Sequence, residues 1–176
     1  PRILAGAAPS YAANTLTSLA LGRGADGTLV RQAIDEMYAG RDDFLGTTVG
    51  DTLANYEIFT ALGDQGYTPQ NGADYPNSSL GRSLREIAQV MRADIGLEVA
   101  FVETGGWDTH SRQGGATGNL ANLLGDVADS LGAFYQDLGR EMDEVCILTM
   151  SEFGRTVAQN GSGGTDHGRG TAMMAI

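Results

Sequence analysis

The chain contains no lysine. All eleven of its basic residues are arginines, set against 22 acidic residues, for a formal charge of -11 and a pI near 4.4. Without lysine there is no Walker phosphate loop, however glycine-rich residues 161–170 look, and no Schiff-base amine. Nor is nucleic acid a fitting partner, since neutralising phosphates takes clustered basic side chains. Arginine-only usage fits genome composition or an acidic solvated surface better than it fits a mechanism. Cysteine is nearly as scarce. Cys146 stands alone, so no internal disulfide can form, and its apolar run predicts a buried, inert thiol. No stretch reaches the about 18 consecutive apolar residues of a membrane span, and no charged-then-apolar leader opens the sequence. Histidine is limited to His110 and His167, both in polar, glycine-rich surroundings with little to pack against.

What is present suffices for ordinary folding. A chain of 176 residues that is 41% hydrophobic can bury one domain core, or part of a larger one. It opens at Pro1 and stops inside the apolar run "TAMMAI", which leads to the expectation of a fragment forming one incomplete domain. Residues 1–96 read as a mainly helical segment of that domain. In "GTLVRQAIDEMYAG", Leu29, Ala33 and Met37, with Val30 and Ile34, form an apolar face closed by Gly40. A second helix runs through "FLGTTVGDTLANYEIFTALG" to Gly63. The stretch "DQGYTPQNGADYPNSS" has the composition of a loop, and "SSLGRSLREIAQVMRADIG" is helical again, with Leu80, Leu84, Ile87, Ala88 and Met91 on one face and Gly96 at its end. All three helices are expected to be structural.

From Gly96 the pattern changes, and residues 97–176 read as a β-α-β core. "LEVAFVET" is strand-like, "TGNLANLLGDVADSLGAFYQDLG" is an amphipathic helix with Thr117 as its expected cap, and "EVCILTM" is a continuous apolar run. A strand, crossover helix and strand would place the two strands parallel in one sheet, with both following loops on one edge. In open α/β sheets that edge binds ligands. The expected fold class is therefore α/β, with a mostly parallel sheet preceded by a helical segment.

Each of those loops delivers one histidine, and each histidine has an aspartate close before it: Asp108 with His110 in "ETGGWDTHSRQGG", and Asp166 with His167 in "NGSGGTDHGRG". Glu152 follows the second strand on the same edge. Carboxylate oxygen and neutral imidazole nitrogen together suit a divalent cation such as zinc or manganese. Each residue alone has an ordinary explanation, for a loop aspartate often turns onto its own backbone and a glutamate after a strand often caps a helix. Convergence on one edge favours a metal site at Asp108, His110, Glu152, Asp166 and His167. His167 reaches it only if the 151–170 loop folds back over the edge, or if "TAMMAI" runs antiparallel to its neighbour.

The motifs "FVETGGWDTH", "TMSEFGRT" and "NGSGGTDHGRGT", in this order, resemble the signature of the bacterial domain-of-unknown-function family numbered 1501. Through it the chain resembles the alkaline phosphatase and sulfatase superfamily. The resemblance implies an α/β/α sandwich with two metal sites at the carboxyl edge of its sheet. It also implies export, often behind a twin-arginine signal, to the periplasm or outside the cell. Asp108 and His110 match an aspartate and histidine that hold one metal, although the superfamily usually spaces them four apart. Either Glu152 stands where the superfamily has an Asp-His pair, with His167 as a later single ligand, or Asp166 and His167 are that pair in a longer loop.

The superfamily's nucleophile lies upstream of Pro1, so the resemblance leaves the catalytic residues unknown and the fragment inactive alone. The implied reaction is hydrolysis of phosphate or sulfate esters, on a small molecule or a glycan. Zinc is the first expectation, with manganese or calcium as alternatives. One metal would lower the pKa of a nucleophile, and a pair would clamp the attacking and leaving oxygens. Arg155 and Arg169 could grip a tetrahedral oxyanion with their planar forks, or simply pair with surface acids. Ser151 lacks the G-x-S-x-G elbow of a serine hydrolase. The alternative from another class is a non-catalytic exported surface or carbohydrate-binding protein that retains the fold and a structural metal.

Overall fold

Among the described residues, 26–176 together with Ser10, Ala12, Thr15 and Leu16, the computed structural model has four α-helices, each within a segment expected to be helical. They are α1 (Asp26–Tyr38), α2 (Phe44–Gln65), α3 (Ser79–Arg92) and α4 (Asn119–Leu138), with a 3-10 turn over Gly139–Glu144. The chain divides into two units, Pro1–Tyr67 and Thr68–Ile176.

In the first unit α1 and α2 lie against each other. Gly40, at φ 72°, ends α1 in the left-handed region that favours glycine. Asp43 then caps α2 by accepting a hydrogen bond from the Gly46 amide at 2.9 Å. Its bond with Arg41, and then the Gly46 amide, hold its carboxyl below the usual range. The Arg31–Glu57 ion pair joins the two helices. Arg31, Ile34 and Tyr38 share one half-buried stripe at helical spacing. That leaves Leu29 and Met37, expected to be buried, at 64% and 71% exposure. Hydrophobic spacing marks a face, but the half-buried stripe of α1 is the one that carries Arg31.

The second unit is built on α3 against α4. Ser78 caps α3 by accepting from the Gly81 amide at 2.9 Å. Leu80, Leu84, Ala88 and Val90 of α3 meet Ala133, Phe134 and Leu138 of α4 and Met142 of the 3-10 turn in a buried core. Each large side chain there contributes about 1.5–3 kcal/mol by leaving water. α4 starts at Gly118 with no side-chain cap, so Thr117 does not serve as one. The buried stripe of α4 also contains a carboxylate: Asp137 is 0% exposed. Its Oδ1 accepts from the Gln70 amide at 2.7 Å and its Oδ2 from the Tyr75 hydroxyl at 2.8 Å. Arg92, at the end of α3, donates to the Asp137 carbonyl at 2.6 Å. One acidic residue thus ties the 68–75 loop and α3 to the end of α4.

The mostly parallel α/β/α sandwich is not what the second unit forms. The named strands among the described residues are β1 (Gly154–Arg155) and β2 (His167–Gly168), paired antiparallel. The apolar run 97–104 forms no strand, and Val99 is 80% exposed. A parallel sheet needs helices over both faces, and α4 packs against α3. The run that holds Cys146 is open enough to expose the thiol, against the expectation of a buried one. Residues 147–149 do pair, but with the chain's last residues. Ile147 and Ile176 exchange two bonds of 2.9 Å, and the Thr149 amide donates to the Met174 carbonyl at 2.9 Å. "TAMMAI" therefore runs antiparallel to its neighbour, one of the two routes that carry His167 toward Asp108. No described helix is long and apolar enough to cross a membrane.

Candidate metal centre

Two loops make the site. In the first, the Thr109 amide donates to the Trp107 carbonyl at 2.9 Å, a tight turn centred on Asp108. In the second, the β1–β2 pairing sets Arg155 opposite His167. Backbone bonds stitch the loops together: Thr165 donates to the Thr109 carbonyl, Arg112 to Ser162 and Gln113 to Gly163, at 2.9–3.2 Å. Gln113 Oε1 accepts from the hydroxyls of Thr109 and Thr165, both at 2.8 Å. Gly164 is needed where the loops touch, because a Cβ there would lie 2.3 Å from the His110 carbonyl carbon.

The outcome is a cluster of Asp108, His110 and His167, whose ligand atoms all lie within 4.8 Å of one another. Asp108 Oδ1 sits 3.1 Å from His110 Nε2 and 3.0 Å from His167 Nε2. Ligand atoms of a tetrahedral zinc, bonded at about 2.0–2.1 Å, stand about 3.3 Å apart. The two separations from Asp108 are therefore near the spacing a cation would hold. Protonation adds a second reason. His110 faces a carboxylate oxygen at each ring nitrogen, Asp108 at Nε2 and Asp166 at Nδ1, the latter 2.9 Å away. A neutral imidazole has one N–H, so one of those oxygens meets a lone pair unless the ring is charged or a cation stands between.

Both aspartates are ionised more readily than usual. The His167 hydrogen bond holds the Asp108 carboxyl below the ordinary range, with the charges of His110, His167 and Arg155 adding to it against the cost of desolvation. For Asp166 the His110 hydrogen bond leads, followed by the one from Asn160. Phe153 stacks on His167, centroids 4.7 Å apart and 16° between planes, which restricts rotation of that ring.

Of the five expected ligands, the structure brings Asp108, His110 and His167 together, sets Asp166 behind His110, and leaves Glu152 exposed and outside the cluster. Arg155, expected to bind substrate, donates to the carbonyls of Thr165 and Trp107, each at 2.6 Å, and to Asp108 Oδ1 at 2.9 Å. It also lies over the Phe153 ring. In this arrangement it staples the two loops. Arg169 is exposed. Asn160 was missed by sequence reasoning. Its Oδ1 accepts from the Ser162 and Gly164 amides, and its Nδ2 donates to the His110 carbonyl and to Asp166 Oδ1. An Asn-Gly pair before a serine was its signal, the mark of a turn closed by a side chain.

The family described as Protein of unknown function (DUF1501) matches residues 59–176, a span that includes every residue of this cluster. The chain belongs to that family. No curated protein and no solved structure matches this DUF1501 chain.

Proposed function

We propose that this DUF1501 chain is the metal-binding part of an exported hydrolase of the alkaline phosphatase and sulfatase kind, acting on phosphate or sulfate esters. The observation that carries the reading is the three-ligand cluster of Asp108, His110 and His167 with its open side: their side chains are 56%, 47% and 56% exposed. Structural zinc sites are closed by four protein ligands, whereas catalytic ones keep three and an open position. The motif likeness to that superfamily supports the same reading, as it does export.

Asp108, His110 and His167 would hold the cation, with zinc the first choice for two imidazoles and one carboxylate. When bound, it would polarise the ester oxygen and help generate a nucleophile at neutral pH. The residues of this chain supply the frame. Arg155 sets the direction of Asp108, Phe153 holds the plane of His167, and the Gly164 contact keeps the loops in register. A rigid frame of this kind is what holds an ester in reacting geometry.

Zinc titration of the expressed protein by calorimetry, then hydrolysis of chromogenic phosphate and sulfate esters, tests the reading. One bound zinc, lost in Asp108→Ala, and turnover that falls with it are expected. Zinc binding without turnover on any ester would instead favour a binding protein with a structural metal. Absence of zinc, manganese and calcium binding would sink both.

A further inference from the structure

Asp166 follows the same loop as His167 and is its neighbour in sequence, so it is easily taken for His167's companion ligand. The geometry points to a different role: we propose that Asp166 is a positioning residue for His110, fixing the proton on Nδ1 so that Nε2 is the nitrogen presented to a metal. This rests on the metal-binding reading above and adds to it the state in which one ligand is held.

Three observations converge. Asp166 Oδ1 lies 2.9 Å from His110 Nδ1, while the opposite nitrogen of the same ring faces Asp108 Oδ1 at 3.1 Å. Asp166 is absent from the group of atoms that lie mutually close enough to hold an ion. Asp166 is itself held: Asn160 Nδ2 donates to its Oδ1 at 3.0 Å, and its amide donates to the Thr156 hydroxyl at 3.2 Å. The Asn160 Nδ2 group also donates to the His110 carbonyl at 2.9 Å, so one amide fixes both the carboxylate and the residue it orients. A carboxylate on the far nitrogen of a metal-binding imidazole fixes its tautomer and raises its basicity, and losing such a partner costs about 10–100-fold in metal affinity. His167 lacks this arrangement among the described contacts. Its Nε2 faces Asp108, and its ring is held by stacking on Phe153.

The test is zinc binding to the full chain, with nitrogen-15 NMR of the imidazoles, which is readily assigned because the chain has two histidines. Zinc-loaded protein should carry the His110 proton on Nδ1 and the metal on Nε2. Asp166→Ala should weaken zinc about 10–100-fold and move the His110 proton toward Nε2, which still faces Asp108, in the zinc-free protein. Asp166→Asn, which keeps an acceptor, should restore part of the affinity. Zinc on His110 Nδ1 in the wild-type protein would overturn the proposal without any variant having to fold. So would loss of zinc in Asp166→Ala as complete as in Asp108→Ala, which would make Asp166 a ligand, or affinity unchanged from wild type. Those results leave the metal-binding reading standing. A wild-type chain that takes up no zinc would overturn both.

Discussion

Two aspartates organise the second unit, and they do it in opposite environments. Asp137 is wholly buried at the end of α4, where a backbone amide and a tyrosine hydroxyl occupy its two oxygens. Asp108 is half exposed in a loop, where one oxygen faces two imidazoles and an arginine. The first is saturated with donors from its own chain, and its role ends in holding α3, α4 and the 68–75 loop together. The second gathers an arginine and two imidazole nitrogens around one half-exposed oxygen, an arrangement open to solvent on one side. What separates the structural carboxylate from the candidate metal ligand is therefore burial and the kind of partner around it.

That contrast can be broken at several points, all in zinc-free buffer, since bound metal would itself stabilise the fold. Asp137→Ala removes the buried carboxylate that accepts from the Gln70 amide and the Tyr75 hydroxyl and should cost roughly 3 kcal/mol in urea unfolding. An unchanged midpoint would show the hub to be dispensable. Gly164→Ala drives a Cβ into the His110 and Thr109 backbone. It should cost roughly 1–3 kcal/mol as an overpacked contact and lower zinc affinity as well, whereas undiminished affinity would mean the loops need not touch there. Ser78→Ala, far from the cluster in function, should cost about 1 kcal/mol through the lost cap and leave zinc titration as in wild type.

The exposed aspartate should behave the other way round. Asp108→Ala is expected to move the unfolding midpoint less than Ser78→Ala does, yet to remove zinc binding altogether. A large stability loss there would erase the distinction between the two carboxylates. Acid supplies the smallest effect. The Asp108 and Asp166 carboxyls lie below the ordinary value of 3.8 in the folded chain. Their contribution to stability is present above that value and is lost as pH falls below it through their folded values. Unfolding curves taken across this acid range should show a slope that flattens in Asp108→Asn with Asp166→Asn. An identical slope in the double variant would assign the acid sensitivity elsewhere.

The helices were legible in the sequence because their signals are local. Apolar residues at helical spacing mark α3 and α4 and Ser78 stands at the start of α3, although that helix ends at Arg92, before the Gly96 expected to close it. The sheet was not legible. The apolar runs at 97–102 and 146–150 carry strand-like composition, but nothing in a continuous apolar run names its partner. The last residues, in antiparallel sense, took the second run. On α1, spacing alone selected Leu29 and Met37, while the half-buried stripe is Arg31, Ile34 and Tyr38. Asp137 was hidden inside a helix read as apolar on its buried side. At the site, the pairing of each histidine with a nearby aspartate pointed to the right loops, but adjacency misled as to which groups would meet.

By itself, then, the sequence determined which segments are helical and which two loops carry the imidazoles, because those properties rest on hydrogen bonds and side-chain spacing within a few residues. Only the tertiary structure decided which carboxylate serves which ring. His167 meets Asp108 across 59 residues, and His110 meets Asp166 across 56. Such partners are chosen by loop closure, desolvation and the close backbone contact at Gly164, none of which is encoded in the order of neighbours along the chain.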